Sequence, residues 1–241
     1  MSTQAPETAM VFAAGLGSRM LPLTLTTPKP MIKVGGRPMI DHMLDRFASA
    51  GARRAVVNVH HLADQVESHV LGRSDLEIIV SDERAKLLDQ GGGLKKALPF
   101  LGEKPIYVAN TDALWIEGPR QNLLRLAELW DPERMDILLL VAATTASVGV
   151  DWPGDFYMAV DGRLTRRPER EVAPFVYAGV GIVKPALFAG RAEDVFPLSP
   201  YFFEAALHGR LYGLRLDGVW RLVGAPRVIA EADWEIARRA T

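Results

Sequence analysis

The 241-residue chain has no cysteine, which removes disulfides, thiolate metal sites and thiol nucleophiles together. It has almost no net charge: 28 lysines and arginines stand against 29 aspartates and glutamates. No overall field therefore draws it to nucleic acid or to an anionic membrane surface, and any phosphate site must be local. Long apolar runs are missing too. The longest are strand-sized, short of the roughly 20 residues that span a bilayer. The opening Met1-Ser2-Thr3-Gln4-Ala5-Pro6-Glu7 lacks the basic start of a signal peptide, so the expectation is a cytoplasmic protein with no membrane partner. There is no repeat, linker or low-complexity stretch, and no obvious Ser-His-Asp set. His60-His61 follow a strand pattern and His69 a helical one, without the carboxylate spacing of a zinc site, which leaves them bland polar or half-buried roles.

What is present is enough apolar material, 49% of residues, to bury the core of one α/β domain. The expected layout is a disordered tail over 1–8 and one domain over 9–241, with halves 9–115 and 116–241. In the first half short apolar runs alternate with amphipathic stretches. Ala9 to Ala14, Val56 to Val59, Leu76 to Val80 and Pro105 to Ala109 read as strands. Met39-Ile40, Met43-Leu44 and Phe47 share one helical face that Gly51 ends, and Leu62, Val66 and Val70 share another. Such alternation predicts a parallel sheet with right-handed crossovers and ligands beyond the carboxyl ends of its strands. In the second half Asp155 to Leu164 reads as a hairpin turning at Asp161-Gly162. Phe175 to Val183 is a strand whose interior Gly179 marks a bulge or a close approach. Leu211 to Leu216 and Val219 to Val223 add strands, and Pro226 opens a closing helix. Tyr201-Phe202-Phe203 reads as core or an oligomer contact, and Trp220 and Trp234 as interface candidates for a monomer or homodimer.

The chemistry concentrates where the first strand empties into Gly15-Leu16-Gly17-Ser18-Arg19-Met20, followed by Thr27-Pro28-Lys29-Pro30. Glycines let backbone N–H groups approach phosphate oxygens, and Arg19 and Lys29 then neutralise a polyphosphate, so a nucleoside triphosphate is expected here. A P-loop would need Lys-Ser or Lys-Thr directly after its last glycine, and a dinucleotide fingerprint would need glycine where Met20 stands. A glycine pair after a strand is also a common ligand-free loop, a reading the two spaced cations count against. Asp112, at a strand end, is either a Mg²⁺ ligand beside phosphate oxygens or a turn cap. Asp89-Gln90-Gly91-Gly92-Gly93-Leu94 is either a flat floor for a base at a helix start or a flexible loop. Arg166-Arg167-Pro168 alone is a basic surface pair.

Together these positions resemble the nucleoside-diphosphate-sugar pyrophosphorylases, the sugar-1-phosphate nucleotidyltransferases, over nearly the whole chain. Gly15, Gly17, Ser18, Arg19 and Pro28-Lys29-Pro30 match the family signature in order and spacing. The resemblance implies a Rossmann-like, mainly parallel mixed sheet flanked by helices in a single domain, with a nucleotide-binding half and a sugar-phosphate-binding half. It implies nucleotide contacts from Ala13, Ala14, Gly15, Gly17, Ser18, Arg19 and Lys29, and base contacts from Glu83, Gly91 and Gly92. Sugar-phosphate contacts fall on Asn110, Asp155, Gly179 and Arg167, the last where several members have the lysine of Glu-Lys-Pro. Mg²⁺ falls on Asp112. Among subfamilies the stretches around Asn58-Val59-His60-His61-Leu62 and Gly154-Asp155-Phe156 are most similar to members that join UTP to N-acetylmuramic acid 1-phosphate, a peptidoglycan-recycling step. Mannose-1-phosphate guanylyltransferases are the alternative.

The implied reaction is in-line attack by a sugar 1-phosphate oxygen on the α-phosphorus, releasing pyrophosphate. Arg19 would serve the β- and γ-phosphates, Lys29 the α-phosphate and Arg167 the sugar phosphate, with catalysis resting on Arg19, Lys29 and Asp112. One departure stands out. Members usually have Trp-x-Asp-x-Gly-Thr, with a second metal aspartate, where this chain has Trp220-Arg221-Leu222-Val223-Gly224-Ala225. Asp217 or Asp155 would have to substitute, or Asp112 would hold the cation with phosphates and water, or the chain would be a non-catalytic nucleotide-sugar sensor.

Overall fold

Strand and helix patterns of the sequence resolve into an alternating α/β chain in a computed structural model that describes residues 5–147 and 149–239, with backbone only for Ala146 and residues 234–239. The elements are β1 (Thr8–Phe12), β2 (Lys33–Val34), β3 (Arg37–Pro38), α1 (Met39–Ser49), β4 (Arg54–Val59), α2 (Ala63–Val70), β5 (Glu77–Asp82), α3 (Asp89–Leu101) and β6 (Ile106–Asn110). They continue with β7 (Ala113–Glu117), α4 (Asn122–Leu129), β8 (Ile137–Ala143), β9 (Phe156–Met158), β10 (Leu164–Arg166), β11 (Phe175–Val183), α5 (Ser199–Leu207), β12 (Leu211–Arg215), β13 (Gly218–Leu222) and α6 (Pro226–Arg239).

β5, β4, β1 and β6 lie side by side and parallel, in that order. β11 then runs antiparallel to β6, β8 antiparallel to β11, and β12 parallel to β8. The β9–β10 hairpin joins the far end of β11 at Phe156↔Phe175. Because the chain crosses from β1 to β4 on one side and later to β6 on the other, the strand order reverses beside β1. Loops leaving β1 and β6 splay apart there, where open α/β sheets hold ligands.

Strand alternation divides the core. Ala9 and Val11 of β1 pack with α1, α2 and α4, while Met10 and Phe12 pack with α3 and α5. A third cluster joins Met20, Ile32 and Met39 to Leu114 and to Val223, Val228 and Ala232, so α6 closes over the glycine-rich segment.

Three expectations change. Thr8 begins β1 and Pro6 is buried, so the fold starts before residue 9; residues 1–4 lie outside the described residues. The boundary at 115/116 cuts through β7, which pairs with β13 in a separate ribbon. Trp220 is buried, its indole N–H donating to the Ala178 carbonyl at 3.0 Å, so it is core and not interface. Tyr201 and Phe202 are core as well, and the side chain of Trp234 lies outside the described residues. Among the described residues no helix is long and apolar enough to cross a membrane.

Candidate active site: a two-part groove at the strand ends

A polar relay fixes the floor of the groove. The Ala13 N–H donates to Asn58 Oδ1 at 2.7 Å, Asn58 Nδ2 donates to Glu83 Oε1 at 2.8 Å, and the Leu88 N–H donates to Glu83 Oε2 at 3.1 Å. The ends of β1, β4 and β5 are thereby tied to the start of α3. Glu83 is 1% exposed, and burial pushes its carboxyl above the usual carboxylate range against the pull of the bonds from Asn58 and Leu88. Both its oxygens are engaged within the protein.

Above this floor is a cleft of about 500 Å³ whose wall includes Ala13, Ala14, Gly15, Arg19 and Lys29, then Glu83, Asn110 and Asp112. Gly15 leaves the cleft open, since no atom lies within 4 Å of where its Cβ would stand. Gly17 does something else. It holds a left-handed φ of +65°, and a Cβ there would meet Thr24 at 2.8 Å and the Lys29 stem at 3.0 Å. Only glycine lets the loop fold back over Lys29. Gly17 and Ser18 themselves stand off the cleft wall. Lys29 Nζ is 2.5 Å from Asp112 Oδ2, with both side chains largely buried. Arg19 is exposed, its guanidinium lying 3.4 Å from where a Cβ on Gly224 would be.

A second chamber, about 370 Å³, shares Gln90 and Asn110 with the first. Gln90 Nε2 donates to Asn110 Oδ1 at 2.7 Å at this junction. Its wall includes Asp155, Arg166, Arg167, Tyr177, Phe202 and Phe203. Asp155 accepts from the Trp152 indole at 2.9 Å and from the Tyr177 N–H at 2.8 Å, and burial pushes its carboxyl up. Arg167 donates through Nε to the Gly154 carbonyl at 2.9 Å, and through Nη1 to Glu171 at 2.9 Å and Pro168 at 3.0 Å. The Tyr177 hydroxyl is buried and takes no partner among the described residues; burial, then the Asp112 carboxylate, push it up.

Several residues expected to make contacts line neither chamber and have packing roles. Gly91 and Gly92 are buried in the first turns of α3, off the wall: a Cβ on Gly91 would strike the Phe196 ring at 2.4 Å, and one on Gly92 the Asp194 carbonyl at 2.0 Å. The chain's own 194–196 segment packs against the side of these glycines where a Cβ would stand, and neither glycine lines the cleft. Gly179 sits at a bulge of β11 between Tyr177 and Gly181, where a Cβ would lie 2.7 Å from that of Ala113. It permits close packing and does not line either chamber. His60 and His61 hydrogen-bond the carbonyls of Glu83 and Thr24, both at 2.7 Å, and His69 pairs with Asp41.

The second-carboxylate question also has a geometric answer. Leu222 pairs with Ala113, and the Val223 N–H donates to the Asp112 carbonyl at 2.9 Å, so position 222 does neighbour Asp112. Leucine there packs against the core. Asp217 precedes the opposite end of β13, where Gly218 pairs with Glu117, four strand residues or about 14 Å away. Asp155 has both oxygens engaged. Neither substitutes, and among the described residues no group of three or more His, Asp and Glu is placed to hold a metal ion.

Asn58, Gln90 and Tyr177 carry the geometry without having been singled out as site residues. A signal existed for Asn58, the polar residue interrupting the Val56-Val57 run near the end of a buried strand. Nothing local marked the Tyr177 hydroxyl.

The model of the MobA-like NTP transferase domain matches residues 9–229. The chain is 44% identical over 239 residues to an N-acetylmuramate alpha-1-phosphate uridylyltransferase of Caulobacter vibrioides, covering 98% of this chain and 99% of that one. It is 34% identical to the protein of that name from Neisseria meningitidis serogroup B, covering 93% and 96%. A mannose-1-phosphate guanylyltransferase catalytic subunit beta of Danio rerio is more distant, 25% identical over 91% of this chain and 61% of its own length. The fold matches a UDP-glucose pyrophosphorylase complexed with UDP-glucose at a TM-score of 0.78, with 15% identity over 97% of this chain and 99% of that one.

Proposed function

Because the chain belongs to the MobA-like NTP transferase family, we propose that it transfers the uridylyl group of UTP to N-acetylmuramic acid α-1-phosphate and releases pyrophosphate. The observation that carries this reading is the 44% identity to a uridylyltransferase over nearly the full length of both chains. The groove supports it, with Arg19, Lys29 and Asp112 on one wall and an adjoining chamber of a size for a sugar. The activity belongs in the cytoplasm, as a salvage step of peptidoglycan recycling.

The sugar-phosphate oxygen forms a bond to the α-phosphorus as the α–β bridging P–O bond breaks, and pyrophosphate leaves with that electron pair. Two anions must meet, so the protein's work is alignment and charge neutralisation. Lys29 has three N–H donors; one holds Asp112, which leaves others for the α-phosphate. Arg19 offers a planar fork to two oxygens of the β- and γ-phosphates. The Asn58–Glu83 relay holds the Ala13 backbone and the start of α3 in place around the nucleotide. Gln90 and Asn110 separate the two reactants' ends.

Asp112 fits a divalent cation. Its carboxylate already faces the positive charge of Lys29, and Mg²⁺ commonly takes one or two carboxylates and otherwise phosphate oxygens and water. When bound, Mg²⁺ supplies charge neutralisation on the phosphates.

Pyrophosphate release measured with Mg²⁺ over the four nucleoside triphosphates and a panel of sugar 1-phosphates tests the proposal. The highest kcat/KM is expected for UTP with N-acetylmuramic acid 1-phosphate. A preference for GTP with mannose 1-phosphate overturns the substrates. Thermal shifts by ligands with no product overturn catalysis in favour of a sensor, the reading that Leu222 favours.

A further inference from the structure

The sugar-side chamber carries two adjacent arginines in different states. Arg167 has its Nε and Nη1 donors on the carbonyls of Gly154, Pro168 and Glu171, which makes it a brace for the 167–171 loop. Arg166, closing β10, has its guanidinium over the ring of Phe203 at 4.0 Å from the centroid. Phe203 is in turn supported by Phe156, which is 1% exposed, with ring centroids 6.5 Å apart. The Arg166 side chain makes no ion pair or hydrogen bond among the described residues, so all five of its N–H donors are open. Stacking on an aromatic face fixes the plane of a guanidinium and leaves its edge free for a two-oxygen acceptor.

The other charges of this chamber are accounted for. Asp155 has both oxygens on N–H donors of Trp152 and Tyr177. Glu169 lines the same wall, is exposed, and forms no ion pair with Arg166. A neutral sugar would offer the Arg166 fork only hydroxyl oxygens and no charged two-oxygen acceptor.

Position decides which part of the sugar it meets. The phosphate of a sugar 1-phosphate belongs at the junction with the first cleft, beside Asn110 and Asp112. In the sheet order β10-β9-β11-β6, Arg166 starts three strand spacings from β6, about 14 Å. Its side chain therefore meets the ring edge remote from the phosphate. In N-acetylmuramic acid the lactyl ether puts a carboxylate there.

We propose that Arg166, stacked on Phe203, is a specificity residue that binds a carboxylate of the sugar and so selects acid sugar 1-phosphates over their neutral counterparts. This rests on the reaction proposed above but not on the identity of the acid sugar.

Steady-state kinetics of the full chain with UTP test it on two matched pairs: N-acetylmuramic acid 1-phosphate against N-acetylglucosamine 1-phosphate, and glucuronic acid 1-phosphate against glucose 1-phosphate. Arg166→Gln is expected to lower kcat/KM for the preferred acid sugar by about 10- to 100-fold, mainly through KM. The neutral partner should stay within about twofold, and Arg166→Lys should retain part of the selectivity. An equal loss on both members of a pair means a structural role, and no loss on the acid member means no contact; either overturns the proposal. Wild-type preference for glucuronic acid 1-phosphate, abolished in Arg166→Gln, upholds the proposal while overturning the muramic acid reading. Wild-type preference for neutral sugars overturns both.

Discussion

Gly93→Ala tests the relay under the groove most directly. Gly93 lies in the second turn of α3, where a Cβ would stand 2.6 Å from Glu83 Oε1 and 2.8 Å from Asn58 Nδ2. Neither atom is a free end, because both belong to the buried bonds that reach Ala13 and Leu88. Alanine gains about 0.5–1 kcal/mol of helix propensity. Against this stand about 1–3 kcal/mol for overpacking and about 1.5–3 kcal/mol for a weakened bond to a buried carboxylate. The net is a destabilisation of about 1.5–5.5 kcal/mol. In a domain of this size each kcal/mol moves Tm by about 2–4 °C, so a fall of roughly 3–20 °C is expected. Thermal and urea melts measure it, with Gly190→Ala as control, since no atom lies within 4 Å of a Cβ at that glycine. If the glycines of α3 were an open seat for a base, Gly93→Ala would weaken nucleotide binding at unchanged Tm. That outcome, or an equal fall in the control, refutes the reasoning.

Lys29→Ala should lower turnover on the order of 10²-fold, since it removes a preorganised charge at the reacting phosphate; near-normal pyrophosphate release from a folded variant would refute its role. Tyr177→Phe removes a buried hydroxyl that has no partner among the described residues, so stability should hold or rise by up to about 1 kcal/mol, while KM for the sugar 1-phosphate rises several-fold. A drop in Tm with unchanged KM would show that the hydroxyl serves the fold alone. Burial raises the Glu83 carboxyl in the folded state, so the native protein binds more protons there than the unfolded chain. Its contribution is full below the ordinary carboxylate range and is lost as pH rises through the raised value. The stability difference between wild type and Glu83→Gln should therefore shift against wild type from about pH 4 to pH 7 in urea melts; a shift in its favour contradicts the assignment.

The sheet was legible because β1, β4, β5 and β6 are short apolar runs separated by helices with clean one-sided patterns, and each step is local in sequence. The placing of Arg19 and Lys29 on the cleft wall was legible for the same reason: both follow the end of β1 within about 20 residues. The failures share a cause. What covers Gly91 and Gly92 is Phe196 and Asp194, about a hundred residues later, so the triplet reads as an open loop until the tertiary contact is known. The β7–β13 ribbon likewise pairs Ala113–Glu117 with a strand beyond residue 217. Trp220 offers a large aromatic surface that suits an interface or a core equally, and only the approach of β11 decides it. At Gly179 the sequence marks a close approach but does not say what approaches; the atom a Cβ there would meet first belongs to Ala113.

Leu222 is the sharpest case of a position whose neighbourhood persists while its chemistry does not. The segment still runs beside Asp112, but it contributes backbone: the Val223 N–H holds the Asp112 carbonyl, and Gly224 gives the Arg19 guanidinium a surface to lie against. The leucine side chain joins Trp220 in the core. The protein therefore positions Asp112 from two sides, through its carbonyl by β13 and through its carboxylate by Lys29, without a second anion beside it. One carboxylate paired with one ammonium is locally neutral. Such a centre has less charge with which to hold a free cation than a two-carboxylate centre does, and less to repel an incoming triphosphate. A cation held by Asp112 would take its remaining ligands from the nucleotide and water, so its binding would depend on the substrate that needs it.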